Sequence, residues 1–159
     1  MGRANFSVGD ASESDSQLKP GSNHLAESPM PVASVVLIID DDPMHLRIYG
    51  WIVEAAGYSA LPAQVMHGGV ELPDGKADLV LLDYNFVGKT TAVELAQRVR
   101  ASQPQLPILV LSDAFSLPDD IAPHVQGFIR KGDPAKLVDK LREMLGPAHD
   151  KKISDALNS

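Results

Sequence analysis

A chain of 159 residues with 44% hydrophobic residues and a formal charge of -7 has the size and apolar content of one ordinary globular domain. The acidic balance argues against a nucleic-acid binder, which carries a basic face, and the lack of cysteine excludes a disulfide framework and a thiolate zinc site. No apolar run approaches the roughly 18 residues of a membrane span, and Met1 to Pro31 lacks a signal-peptide core, so a soluble cytoplasmic protein is the default expectation.

Residues 1–33 are polar and turn-rich, with Pro-Met-Pro at Pro29 to Pro31. Such a segment buries too little apolar surface to offset its ordering entropy and is predicted to be a disordered tail. Val35 to Ile39 is an unbroken branched apolar run, as expected of a strand buried on both faces of a parallel sheet. It runs into Asp40, Asp41 and Asp42. Like charges at a buried strand end are costly unless something pairs with them, and a cation is the simplest partner. A helix follows from Pro43 to Ala56, capped by Asp42, with Pro43 at its first position. Leu46, Tyr49, Ile52, Val53 and Ala56 form its apolar stripe, and Gly57 ends it.

Tyr58 to Ala63 is a second strand, placed at a sheet edge because Pro62 cannot donate to a ladder. Val65 to Lys76 occupies the position of a crossover helix. Gly68, Gly69, Pro73 and Gly75 limit it to about two turns. Asp78 to Leu82 is a third strand, ending at Asp83. A helix follows over Ala92 to Ala101, with Ala92, Leu95, Ala96 and Val99 on one face. Pro107 to Leu111 is a fourth strand, ending at Ser112 and Asp113. Pro118 and Pro123 restrict the next connection, Ala114 to Gln126, to about one helical turn. Gly127 to Arg130 is a short fifth strand, ending at Lys131. Asp133-Pro134 opens the last helix, with Leu137, Val138, Leu141, Met144 and Leu145 as its stripe and Gly146-Pro147 as its stop. Residues 148–159 are polar and predicted to be a flexible C-terminal tail.

Strands alternating with helices imply an α/β fold, a five-stranded parallel sheet, doubly wound, with helices on both faces. In such sheets the working groups gather at the carboxyl ends of the strands. There this chain places Asp40 and Asp41, Asp83, Ser112 and Lys131. Clustered carboxylates suit a hard cation such as magnesium. A carboxylate can act as nucleophile toward phosphorus, and a lysine can neutralise the transferring group.

This set resembles the receiver domain of two-component response regulators. The resemblance rests on Ile39-Asp40-Asp41-Asp42-Pro43, Leu81-Leu82-Asp83-Tyr84-Asn85, Val110-Leu111-Ser112 and Phe128-Ile129-Arg130-Lys131. It covers residues 34–147 and implies a flavodoxin-like strand order, 2-1-3-4-5. It further implies Asp83 as phosphoacceptor, and Mg2+ held by Asp40, Asp41, Asp83 and the Asn85 carbonyl. Lys131 would pair with the phosphoryl group, and Ser112 and Phe128 would form the switch pair. The implied donor is a phosphohistidine on a sensor histidine kinase or histidine phosphotransfer protein. The expected chain is a stand-alone phosphorelay receiver rather than an enzyme. It has no DNA-binding domain and no membrane segment, and it signals by contact with a downstream protein; a homodimer is left open.

The sequence also departs from that family. Val87 stands where a proline is usual, Thr91 where a glycine is common, and Gly132 follows Lys131 in place of proline. Asp113, after the switch hydroxyl, replaces a small residue and is expected to narrow access and slow phosphoryl exchange. A degenerate pseudo-receiver, binding its partner without phosphorylation, is therefore the alternative. A weaker alternative is a nucleotide-binding domain. Residues 83–90 differ from G-x-x-x-x-G-K-[ST] only by Asp83 in place of the first glycine, but the acidic triplet and Lys131 then have no role. The five histidines, His24, His45, His67, His124 and His149, lack ligand spacing and are expected at the surface. Trp51 lies off the helix stripe, and Lys151-Lys152 is too short for a nucleic-acid patch.

Overall fold

The computed structural model of the protein describes residues 32–148. Its strands are β1 (Val35–Asp40), β2 (Ser59–Gln64), β3 (Leu79–Asp83), β4 (Ile108–Ser112) and β5 (Gly127–Arg130). They form one five-stranded sheet in the order β2-β1-β3-β4-β5, and every neighbouring pair is parallel. This is the predicted doubly wound α/β arrangement. Four of the strands end one residue later than the sequence indicates, β2 at Gln64 and β1, β3 and β4 at Asp40, Asp83 and Ser112. The predicted tails fall outside the described residues over 1–31 and 149–159, as do His24, His149 and Lys151-Lys152.

Helix α1 (Pro43–Ala55) starts where the Asp42 carboxylate accepts the Met44 N–H at 2.8 Å. It ends with Ala56 as cap and Gly57 at φ 95°, a left-handed conformation that glycine adopts without strain. Helix α2 (Ala92–Ser102) carries a reciprocal capping box, in which the Thr91 hydroxyl accepts from Glu94 N–H and the Glu94 carboxylate accepts from Thr91 N–H. Helix α3 (Pro134–Leu145) begins at the Asp133 cap and ends at Gly146.

The period-2 alternation of the strands divides the core into two layers. On one side α1 and α3 pack Leu46, Val53, Leu137 and Leu141 against Val36, Ile38, Leu79, Leu81, Leu109 and Leu111. On the other side α2 packs Ala92, Leu95, Ala96 and Val99 against Leu37, Ile39, Val80, Leu82, Ile108 and Val110.

The predicted crossover helix over Val65 to Lys76 does not form. The chain instead makes a tight bridge between Met66 and Gly69, with Gly69 at φ 112°. Only Val65 and Val70 of this stretch are buried to the core level, and both plug the α2 layer. Helix propensity lost at three glycines and a proline outweighs the positional expectation. The β4–β5 connection has a single 3-10 turn, Ala122–His124, as Pro118 and Pro123 require, and Ile121 fills the core beside it. The Arg100 guanidinium ties this connection to the one before β4, donating to the carbonyls of Pro104 and Leu106 ahead of β4 and to the His124 carbonyl and the Gln126 side chain ahead of β5.

Candidate functional site

Among the described residues, Asp40, Asp83 and Ser112 are the polar residues buried to the core level, each 1% exposed. Asp40 and Asp83 sit side by side because β1 and β3 are adjacent and end level with one another, and Ser112 ends the neighbouring β4 one residue beyond Leu111, the partner of Asp83. Burying two carboxylates in neighbouring strands is unfavourable unless positive charge or N–H groups meet them. Lys131 supplies the charge. It leaves β5 with its N–H bonded to the Ser112 carbonyl at 2.9 Å, and its Nζ reaches Asp83 Oδ1 at 2.7 Å. Burial alone would lower the Lys131 pKa, but the hydrogen bond and charge of Asp83, with Asp40 behind it, raise it on balance. Asp83 Oδ1 also accepts the Asn85 N–H at 3.3 Å. Its Oδ2 accepts no hydrogen bond among the described residues.

Asp40 is held differently. Its Oδ1 accepts the Asp42 N–H at 2.9 Å, while its buried Oδ2 has no hydrogen-bond partner. Burial raises its pKa to about 6, opposed by that N–H; the Asp83 charge adds to the rise, and His45 and Lys131 pull it back. Asp41 points elsewhere. Its Oδ2 accepts the Val87 N–H at 2.8 Å, tying the β1–α1 turn to the loop after β3. Ser112 Oγ accepts the Ala114 N–H at 3.1 Å. Phe128 is half-buried on β5, level with Val110, and so shares a sheet face with Ser112 two residues short of it. Asp113 is exposed.

One residue of the pocket is missed by sequence reasoning. His45, expected at the surface, is half-buried, with Nδ1 3.3 Å from Asp40 Oδ2. Donor atoms of Asp40, His45 and Asp83 all lie within 4.8 Å of one another. Of the other histidines described, His67 is exposed and His124 half-buried, and neither joins this group. Trp51 is exposed as expected.

The nucleotide-loop alternative finds no support in the local geometry. Lys89 and Thr90 precede the helix, which begins at Ala92 behind the Thr91 cap, and Asp83 is engaged by Lys131.

The fold and site thus define an open parallel α/β domain with an acidic pocket, faced by a lysine, at the carboxyl ends of its strands. Residues 36–142 match the family model of the response regulator receiver domain, and the chain belongs to that family, the receiver modules of two-component signalling. It is 28% identical over 130 residues to the transcriptional regulatory protein GlrR of Escherichia coli, covering 77% of this chain and 29% of GlrR. It is 31% identical over 90 residues to the transcriptional regulatory protein YkoG of Bacillus subtilis, covering 54% of this chain and 38% of YkoG. The chain therefore spans well under half the length of these relatives.

Among solved structures, the chemotaxis protein CheY4 of Vibrio cholerae superposes with a TM-score of 0.59 at 20% identity, covering 71% of this chain and 99% of CheY4. The response regulator TrrA of Thermotoga maritima, solved with magnesium and beryllofluoride, gives 0.60 at 18% identity, covering 70% of this chain and 98% of TrrA. These two show the shared fold. No helix among the described residues is long and apolar enough to cross a membrane.

Proposed function

We propose that this receiver, with residues 34–147 as its working unit, accepts a phosphoryl group on Asp83. The donor, met in the cytoplasm where this chain would reside, is a phosphohistidine on a sensor histidine kinase or histidine phosphotransfer protein. The main support is the Asp83 carboxylate itself: it is buried, one oxygen is held by Lys131 at 2.7 Å, and the other is free of hydrogen bonds among the described residues. That free oxygen is the nucleophile. The P–O bond forms as the P–N bond breaks, and the imidazole leaves with the bonding pair, taking a proton from solvent. Lys131 then balances charge on the phosphoryl oxygens.

Magnesium fits the donor set. Asp40 Oδ2 is an orphaned buried carboxylate oxygen, Asp83 lies beside it, and the Asn85 carbonyl accepts no hydrogen bond among the described residues. Asp41 would complete the hard oxygen ligands that magnesium takes by turning from the Val87 N–H toward the pocket. When bound, the ion supplies further neutralisation of the phosphoryl oxygens. Ser112 would exchange its Ala114 contact for a phosphoryl oxygen, and Phe128, on the same sheet face, would follow it. The signal would leave through the β4–β5 surface to a downstream protein. Asp113 adds negative charge at the mouth and slows exchange in both directions.

The test is incubation of the full chain with magnesium and acetyl phosphate, read by intact mass, and with beryllofluoride, read by Trp51 fluorescence. An Asp83→Asn variant runs in parallel. A stoichiometric adduct absent from the variant is expected. A wild-type chain that takes up neither ligand would remove the phosphoacceptor role and leave a phosphorylation-independent interaction module.

A further inference from the structure

His45 has no part in the phosphoryl chemistry, yet it faces the least satisfied atom in the pocket. Asp40 Oδ2 and His45 Nδ1 are both buried atoms without a hydrogen-bond partner. They stand 3.3 Å apart, close enough for an ion pair but misaligned for a hydrogen bond. A carboxylate oxygen and an imidazole nitrogen that face each other across such a gap are held by a positive species, either a proton on the ring or a metal ion that binds both. On the far side of the ring, Nε2 is 3.8 Å from Asp42 Oδ2. Once an ion takes the place of a proton between Asp40 and Nδ1, the Asp42 carboxylate supports the tautomer protonated at Nε2, with the Nδ1 lone pair turned inward.

The spacing is that of two ligands on one ion. Donors about 2.0–2.2 Å from a metal in tetrahedral or octahedral geometry lie roughly 3.0–3.5 Å apart. An Asp83 oxygen completes the group, with all donor atoms within 4.8 Å of one another. The half-exposed ring, 39% accessible, leaves a route in from solvent. Magnesium prefers oxygen and sheds water reluctantly, whereas imidazole nitrogen suits zinc, nickel and their neighbours.

We propose that His45 Nδ1, Asp40 and Asp83 form a site that favours a borderline divalent transition ion, such as Co2+, Ni2+ or Zn2+, over magnesium. The proposal rests on the metal pocket of the preceding section but not on phosphorylation of Asp83. The transition ion uses the same carboxylates as magnesium, so the two exclude each other. The signalling state of the receiver then depends on which ion is available.

The full chain is titrated at neutral pH with CoCl2 and, separately, with MgCl2. Binding is followed by the fluorescence of Trp51, the only tryptophan, and by cobalt visible absorption. The same titrations are made on His45→Ala and His45→Gln. Cobalt is expected to bind at least about tenfold more tightly than magnesium, and both variants to lose at least about tenfold more affinity for cobalt than for magnesium. On the unsubstituted protein, nitrogen-15 imidazole spectra should show His45 responding to Zn2+ at lower concentration than His67 or His124. Parallel losses for both ions, or a His45 ring indifferent to zinc, overturn the site. Adduct formation from acetyl phosphate is measured on the same preparations. Its failure with cobalt selectivity intact refutes the phosphoacceptor role and leaves the metal site standing.

Discussion

Replacing Asp40 by Asn should make the metal-free protein more stable. Asp40 is 1% exposed, and burial, reinforced by Asp83, raises its pKa from 3.8 to about 6. At about 1.4 kcal/mol for each tenfold change in acidity, ionising this carboxyl costs the folded state roughly 3 kcal/mol. The folded chain binds this proton more tightly than the unfolded chain, so stability falls as pH rises from 3.8 toward 6 and stays lower above that. An asparagine cannot ionise, and its amide oxygen can still accept the Asp42 N–H. That ionisation cost already includes the pull of His45 and Lys131; after allowance for burying the asparagine NH2 group, Asp40→Asn should gain about 2 kcal/mol at pH 7, or roughly 8 °C in Tm.

The assay is urea unfolding with a chelator present, at pH 7 and at pH 4. At pH 4 both forms of residue 40 are largely neutral when folded, and the gain should shrink well below 1 kcal/mol. Adding magnesium should then stabilise the parent and leave the variant nearly unmoved. A variant less stable than the parent at pH 7, or a gain equal at both pH values, would refute the reasoning.

Lys131→Met should destabilise by about 2–4 kcal/mol, because it strands a buried carboxylate beside another. Adding Asp83→Asn should restore most of that loss, and urea midpoints of the four proteins in the cycle measure the coupling. Thr91→Ala removes one side of the capping box at α2 and should cost about 1 kcal/mol. The denaturant slope of this variant should stay unchanged; a change in slope would mean that the replacement alters more than the cap.

The sheet is legible in the sequence because each of its central strands is an unbroken apolar run that closes on a polar residue. Val35 to Asp40, Leu79 to Asp83 and Ile108 to Ser112 need only two buried faces to be recognised. Val65 to Lys76 misleads because alternation of elements argues for a helix there, while its glycines and proline argue against one. The composition prevails, and Val65 and Val70 reach the core from irregular chain. The capping box at Thr91 and Glu94 is visible in the pattern Thr-x-x-Glu once the helix start is known.

Two site details depend on paths that no periodicity encodes. The Asp41 carboxylate meets the Val87 N–H across a loop that must fold before the pair exists. His45 lies five positions after Asp40, a spacing that fits neither strand nor helix. The chain changes from one to the other at Asp42, and side chains in the first helical turn lean back toward the N-terminus. That lean brings the His45 ring over the end of β1.

The grip of Arg100 on the β4–β5 connection bears on how freely that surface can change. On that connection its acceptors are the His124 carbonyl and the Gln126 side chain, while the carbonyls of Pro104 and Leu106 belong to the turn before β4. A carbonyl is present whatever the residue, so Gln126 is the side chain of that connection on which the anchor depends. Side chains over Ala114 to Val125 can be exchanged without loosening the strap, apart from Leu117, Ile121 and Val125, which pack on the core, Asp120, which accepts from the Tyr84 hydroxyl, and the prolines that shape the turn. A lineage could rewrite its choice of listener there in single steps while the sheet and its acidic pocket stay untouched.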